Sequence, residues 1–231
     1  MTQPQVPLDM TQSESHTFEG FIGSEGLVES LSRPEKLPQF TYLWGVKHSG
    51  KTHLINALAE ELAKRGTAHV SLDASMLHDA DVFDHLPEGL DFLLLDDVQV
   101  LQSHVEGEVA LFNVYNWCRD KQCQLVVSAG CSNRSEQWQL PDLRSRLTAG
   151  LTLHIEPLKG EHALHCLERQ FSLNGIPIDK AVIDYLRTHQ STSFEHLYAL
   201  FRQVASHSLV LKRKVSVPLI KESLKQLKLS D

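Results

Sequence analysis

The sequence predicts an α/β protein with a parallel sheet, followed by a small all-helical unit. Three observations point there. A glycine-containing segment, Gly45-Val46-Lys47-His48-Ser49-Gly50-Lys51-Thr52, stands between an apolar run and an amphipathic stretch. A second apolar run, Leu93-Leu94-Leu95, ends in the acid pair Asp96-Asp97. Beyond Pro157 every apolar periodicity is helical.

Taken in order, residues 1–16 are polar and without period, as in a flexible tail. Phe40–Trp44 is an apolar, aromatic strand candidate. Lys51–Arg65 places Leu54, Leu58 and Leu62 on one helical face, and Gly66 can supply a left-handed stop. His69–Leu72 is a short strand candidate. Phe92–Leu95 is continuously apolar, as expected of a strand covered on both faces. Glu108–Arg119 has helical spacing of Val109, Phe112 and Trp117, and Leu125–Val127 and Leu151–Ile155 complete the strands. Strands alternating with helices give a parallel sheet with helices on both sides. After Pro157 come helical patterns at Glu161–Phe171, Ala181–Arg187, Phe194–Leu211 and Pro218–Leu227. The expected organisation is a tail over 1–16, an α/β core over 17–157 and a helical lid over 158–231.

Composition bounds the function. With 231 residues, 42% hydrophobic and 22% charged, the chain can bury a core and is not disordered as a whole. No apolar run is long enough to span a bilayer, and the N-terminus lacks the basic start and apolar stretch of a secretory signal. The 29 acids outnumber 22 bases for a net charge of −7, which disfavours strong direct DNA binding. The four cysteines fit neither a zinc spacing nor a disulfide framework, as expected of reduced thiols in a cytoplasmic protein.

The segment from Gly45 to Thr52 satisfies GxxxxGK[ST] at every position. Glycines let the backbone turn its N–H groups onto a phosphate, and the following helix adds the positive end of its dipole. Lys51 would reach the β- and γ-phosphates, and Thr52 would offer its hydroxyl to Mg²⁺. Such a site needs a carboxylate on a neighbouring strand end to hold the metal; Asp96 fits, and Asp97 could polarise an attacking water. The expected cofactor is ADP or ATP with Mg²⁺, and the expected metal contacts are Thr52 and Asp96.

With these residues in hand, the chain resembles the AAA+ proteins of the DnaA branch, most closely the Hda family of DnaA inactivators. Thr17-Phe18-Glu19-Gly20-Phe21-Ile22-Gly23 is similar to the family's TF-x-x-F segment, which packs around the nucleoside base. Asp96-Asp97-Val98-Gln99 resembles the DDIQ of DnaA. Pro141–Leu147 resembles the L-x-SR segment that carries an arginine finger, with Arg146 at the finger position. The resemblance thus implies an AAA+ core with a lid. It places Phe21 and Ile22 at the base, and adds Ser49, His53 and Ser128 to the nucleotide contacts. Arg146 and Asp97 become the catalytic candidates.

The tail segment Gln3-Pro4-Gln5-Val6-Pro7-Leu8 is similar to the QL-x-LPL peptide by which Hda binds the DNA polymerase sliding clamp. Gln3, Val6, Pro7 and Leu8 carry that likeness, and Pro4 departs from it. The implied partners are DnaA, the clamp (the polymerase β subunit) and further copies of this chain. Two other departures stand out. Ser128-Ala129-Gly130 replaces the TSD-type sensor, and Glu195 aligns with the lid's sensor arginine, with Arg202 two turns further on. A carboxylate there repels phosphate, so the expectation is weak ATP hydrolysis by the chain itself and tolerance of a diphosphate. The implied activity is regulation of replication initiation: Arg146 stimulates hydrolysis of the ATP held by DnaA. The alternative is an active AAA+ ATPase that loads a helicase or remodels a partner.

Overall fold

The computed structural model describes residues 16–78, 86–190, 193–211 and 215–227. Gln3, Val6, Pro7 and Leu8 lie outside the described residues. Among the described residues one sheet has five strands, β1 (Phe40–Trp44), β2 (His69–Asp73), β3 (Phe92–Asp96), β4 (Gln124–Ala129) and β5 (Leu151–His154), in the order β2-β3-β4-β1-β5. Every pairing is parallel. The register sets Trp44 beside Ala129 and Asp73 beside Asp96, so the carboxyl ends of the central strands finish together. Ligands of open parallel sheets collect at that edge.

Both sheet faces are covered, which accounts for the uninterrupted apolar run of β3. Alternation along the strand sends Phe92 and Leu94 to one layer and Leu93 and Leu95 to the other. The first layer contains α1 (Glu25–Leu31) and α2 (Lys51–Lys64), with Leu31, Leu54, Leu58 and Leu62 buried against Leu43 and Val126. The second contains α3 (Val105–Asp120) and α4 (Pro141–Leu147), which bury Leu111, Val114, Leu143 and Leu147. Helix α3 starts three residues earlier than its apolar spacing suggests; Glu106 and Glu108 in its first turn favour the helix dipole.

The remaining helices, α5 (Gly160–Leu173), α6 (Lys180–His189), α7 (Phe194–Leu211) and α8 (Val217–Leu227), share a separate core of Leu164, Leu167, Phe171, Leu186, Leu200 and Ile220. A parallel bridge between Ile178 and Val215 ties the α5–α6 connection to the start of α8. Among the described residues no helix is long and apolar enough to cross a membrane.

Candidate functional site

The loop after β1 has the geometry its glycines require. Gly50 adopts φ 100° and His48 φ 61°. A Cβ on Gly50 would lie 2.7 Å from the Phe21 ring, and one on Gly45 would lie 2.8 Å from the Ile155 carbonyl oxygen. Helix α2 begins at Lys51 without a capping side chain from Gly50, and its first ladder bond runs from Leu54 N to Gly50 O at 3.0 Å. The amides of Lys51 and Thr52 therefore precede the helix's own ladder and sit at the positive end of its dipole. Ser49 is buried, and its Oγ has no hydrogen-bond partner in the protein. An unpaired buried hydroxyl is costly unless a ligand supplies the partner. Lys51, 7% exposed, donates from Nζ to Val46 O at 3.3 Å and lies 4.0 Å from Asp97 Oδ1.

Three side chains, one from α2 and one each from β3 and β4, meet beneath the loop. Thr52 Oγ1, on the helix after β1, donates to Asp96 Oδ2 at 2.6 Å. Ser128, near the end of β4 and fully buried, donates to Asp96 Oδ1 and accepts from Asp97 N at 3.0 Å. Asp97 adopts φ 58°, a left-handed conformation that aspartate tolerates better than most residues. This turns it away from the strand, with its carboxylate toward Lys51. A threonine hydroxyl and a carboxylate in contact are the hard oxygen donors that suit Mg²⁺ beside a phosphate. Gly130, the departure from the TSD pattern, donates from its amide to Gln99 Oε1 at 2.6 Å, so the DDVQ glutamine spans to β4.

A cavity of about 420 Å³ opens beside the loop. Phe21, Ile22, Lys51, Thr52, His53 and Asp97 line it from the α/β side. Gly45, Asp96 and Ser128 are not among the lining residues. His53 Nε2 donates to Thr17 O at 2.9 Å and its ring lies 5.9 Å from that of Phe21, so the TF-x-x-F segment is fastened to α2. From the helical side come Cys166, Arg169 and Leu173, one stripe of α5. Arg169 Nη1 donates to Gly20 O at 2.5 Å and so joins the lid to the segment carrying Phe21.

Helix α7 reaches the phosphate loop itself. The His48 and Tyr198 rings lie 4.9 Å apart. Burial and the Lys47 charge hold the His48 imidazole below its usual range; Glu195 opposes that shift, while Lys51 and Arg202 add to it. Glu195 thus sits within electrostatic reach of the loop. Arg202, on the same helix, also bears on the His48 charge.

Arg146 lies elsewhere. It is half-buried on α4 and does not line the cavity. Its Nε donates to Asn116 Oδ1 at 3.2 Å, its Nη1 to Asp142 O at 3.0 Å, and its guanidinium lies 4.2 Å from the centre of the Phe112 ring. The bond to Asp142 goes to the backbone carbonyl rather than the carboxylate. Arg169 and Tyr198 are not legible as site residues, because they lie on amphipathic helices whose docking direction no spacing encodes.

The comparisons with known proteins agree with this geometry. The family model for the bacterial DnaA ATPase domain matches residues 14–154, and that for the Hda lid domain matches residues 160–224. An uncharacterized Haemophilus influenzae protein is 30% identical over 228 residues, 95% of this chain and 98% of that protein. Domain III of the Thermotoga maritima replication initiation protein DnaA superposes with a TM-score of 0.76 at 18% identity, over 92% of this chain and 97% of that one. AMPPCP-bound DnaA from Aquifex aeolicus gives 0.68 at 22% identity, over 94% and 71%. At those identities the structures speak for the fold. Together with the family models, they establish that the chain belongs to the DnaA-related AAA+ family and carries an Hda-type lid.

Proposed function

We propose that the protein binds a nucleoside diphosphate or triphosphate in this cavity and, in that state, acts on DnaA. The amides and glycines of the Gly45–Thr52 loop take the phosphates, Lys51 leaves Val46 O to reach them, and Phe21, Ile22 and His53 flank the base. Thr52 and Asp96 would hold Mg²⁺, which supplies charge neutralisation to the phosphates. Ser128 keeps the Asp96 carboxylate turned toward Thr52. Glu195 adds negative charge near the loop, so ADP is the preferred ligand and hydrolysis by the chain itself is weak.

The observation that carries the regulatory reading is the place of Arg146. It stands outside the chain's own cavity, half-buried on α4, and its guanidinium would leave Asn116 and the Asp142 carbonyl to meet a second protein's nucleotide. An arginine supplied in trans stabilises charge on a transferring phosphoryl group and is worth about 10³–10⁵ in rate. The segment Gln3-Pro4-Gln5-Val6-Pro7-Leu8 would tether the protein to the sliding clamp and raise its effective concentration at replicating DNA. Conversion of DnaA-ATP to DnaA-ADP would then restrain re-initiation.

The test mixes DnaA-ATP with clamp loaded on DNA and measures ATP loss. The intact protein accelerates it; Arg146→Ala and a chain lacking residues 1–10 do not. No acceleration by the intact protein defeats the proposal. Substantial turnover without DnaA, dependent on Asp97, favours the self-contained ATPase instead.

A further inference from the structure

Among the buried polar side chains, Ser49, Lys51 and Ser128 belong to the phosphate loop and its surroundings, whereas Glu108 and Asn133 do not. Both of the latter are spent on α4. Glu108, on α3 and 1% exposed, accepts from Gln139 N at 3.0 and 2.9 Å on its two oxygens and from Leu140 N at 2.7 Å. Those amides lead into α4. Its N-cap residue, Leu140, offers no capping side chain, and its first residue, Pro141, has no N–H. At the other end, Asn133 Nδ2 donates to Leu147 O at 3.0 Å and to Thr152 Oγ1 at 2.9 Å. Leu147 is the last residue of α4, so this carbonyl is one the helix leaves without an internal partner.

A seven-residue helix has little stability of its own, since isolated helices below about 12–15 residues are marginal in water. The buried Leu143 and Leu147 decide which face of α4 points inward. Apolar contact is non-directional, however, and does not by itself fix the helix along its axis or set its rotation finely. Hydrogen bonds do. Burying a carboxylate is a poor way to gain stability, because its desolvation offsets the bonds it makes. What the two buried groups add is position, at both ends of the one helix that carries Arg146, which lies a single residue before the pinned terminus.

We infer that Glu108 and Asn133 are positioning residues for Arg146: by fixing both ends of α4 they set where its guanidinium meets a partner's phosphates. The inference rests on the trans-acting role given to Arg146. A misplacement of about 1 Å in a reacting constellation costs on the order of 10²-fold in rate.

The experiment measures ATP loss from DnaA, with clamp on DNA, over a range of concentrations of the full-length protein. Glu108→Gln keeps the side chain's size but turns an amide donor toward backbone donors. Asn133→Asp removes the donor at the opposite end. Each should lower the plateau rate by about tenfold or more, while the half-saturating concentration and ADP binding stay those of the wild type. A wild-type plateau in both variants, with Arg146→Ala inactive, overturns the inference and leaves the arginine role standing. A plateau and half-saturation that move together, in step with a fall in melting temperature, overturns it as well, since that is the signature of a merely structural role. Full activity of Arg146→Ala would remove the arginine role and this inference with it. The two variants act at opposite ends of α4, so a folding defect in one leaves the other to decide.

Discussion

Replacement of Ser128 by alanine strikes the junction on which the phosphate side of the cavity depends. Its hydroxyl is fully buried, donates to the Asp96 carboxylate and accepts from Asp97 N at 3.0 Å. A hydrogen bond to a charged group contributes about 1.5–3 kcal/mol, and a buried donor left without its acceptor costs about 1–3 more. The Asp97 amide and the Ser128 hydroxyl form a part-buried bond, so the second contribution is set at its low end. The sum is about 2–4 kcal/mol. For a chain of this size, 1 kcal/mol moves the melting temperature by about 2–4 °C, so thermal unfolding followed by circular dichroism should show a fall of roughly 5–15 °C. Ser128→Thr, which keeps a hydroxyl, should lose less. Thr52→Val breaks the neighbouring bond to Asp96 Oδ2, which is solvent-exposed, and should cost no more than about 1 kcal/mol. A Ser128→Ala protein that melts with the wild type, or a Thr52→Val protein that is the more damaged of the two, would refute this role for Ser128.

Other consequences can be checked separately. Gly50→Ala forces a Cβ to 2.7 Å from the Phe21 ring at φ 100°, and should weaken ADP binding at least tenfold in a calorimetric titration while the protein stays folded. Because the folded protein holds the His48 pKa below the usual value, the unfolded chain binds the proton more readily. Stability contributed by neutral His48 should therefore be intact well above about pH 6.5 and fall as the pH drops below it, and His48→Gln should flatten that part of the pH profile in urea melts. Glu195→Arg exchanges a repelling charge for an attracting one near the loop, and should shift the ratio of ATP to ADP affinity toward ATP in competition binding. Arg169→Ala removes the lid's bond to Gly20 O, and should speed release of a fluorescent ADP analogue severalfold, with Arg169→Lys intermediate.

The parts of the molecule that could be read in the sequence are those where local chemistry and fold coincide. The phosphate loop declares itself because glycine, lysine and threonine are each required at a fixed spacing, and Leu93–Asp97 because a strand buried on both faces cannot hide its apolar run. The four helices after Pro157 follow from periodicity in the same way. Other contacts depend on how distant segments dock. The Arg169–Gly20 bond joins residues 149 positions apart. Gln99 finds Gly130 only because β3 and β4 are neighbours, and His48 meets Tyr198 only because α7 lies over the loop. The short helix α4 has too few turns for its apolar spacing to stand out, and its capping carboxylate comes from Glu108, 31 and 32 residues away from the amides it holds. No local pattern announces a cap supplied from another helix.

Every role assigned to the cavity requires the Gly45–Thr52 loop to grip a phosphate chain. Calorimetric titration of the intact protein with ADP in the presence of Mg²⁺ measures this directly. Saturable binding at one site per chain is expected, lost in Lys51→Ala and weaker when ATP replaces ADP. A flat titration with both nucleotides, on protein shown to be folded and free of carried-over ligand, would contradict it.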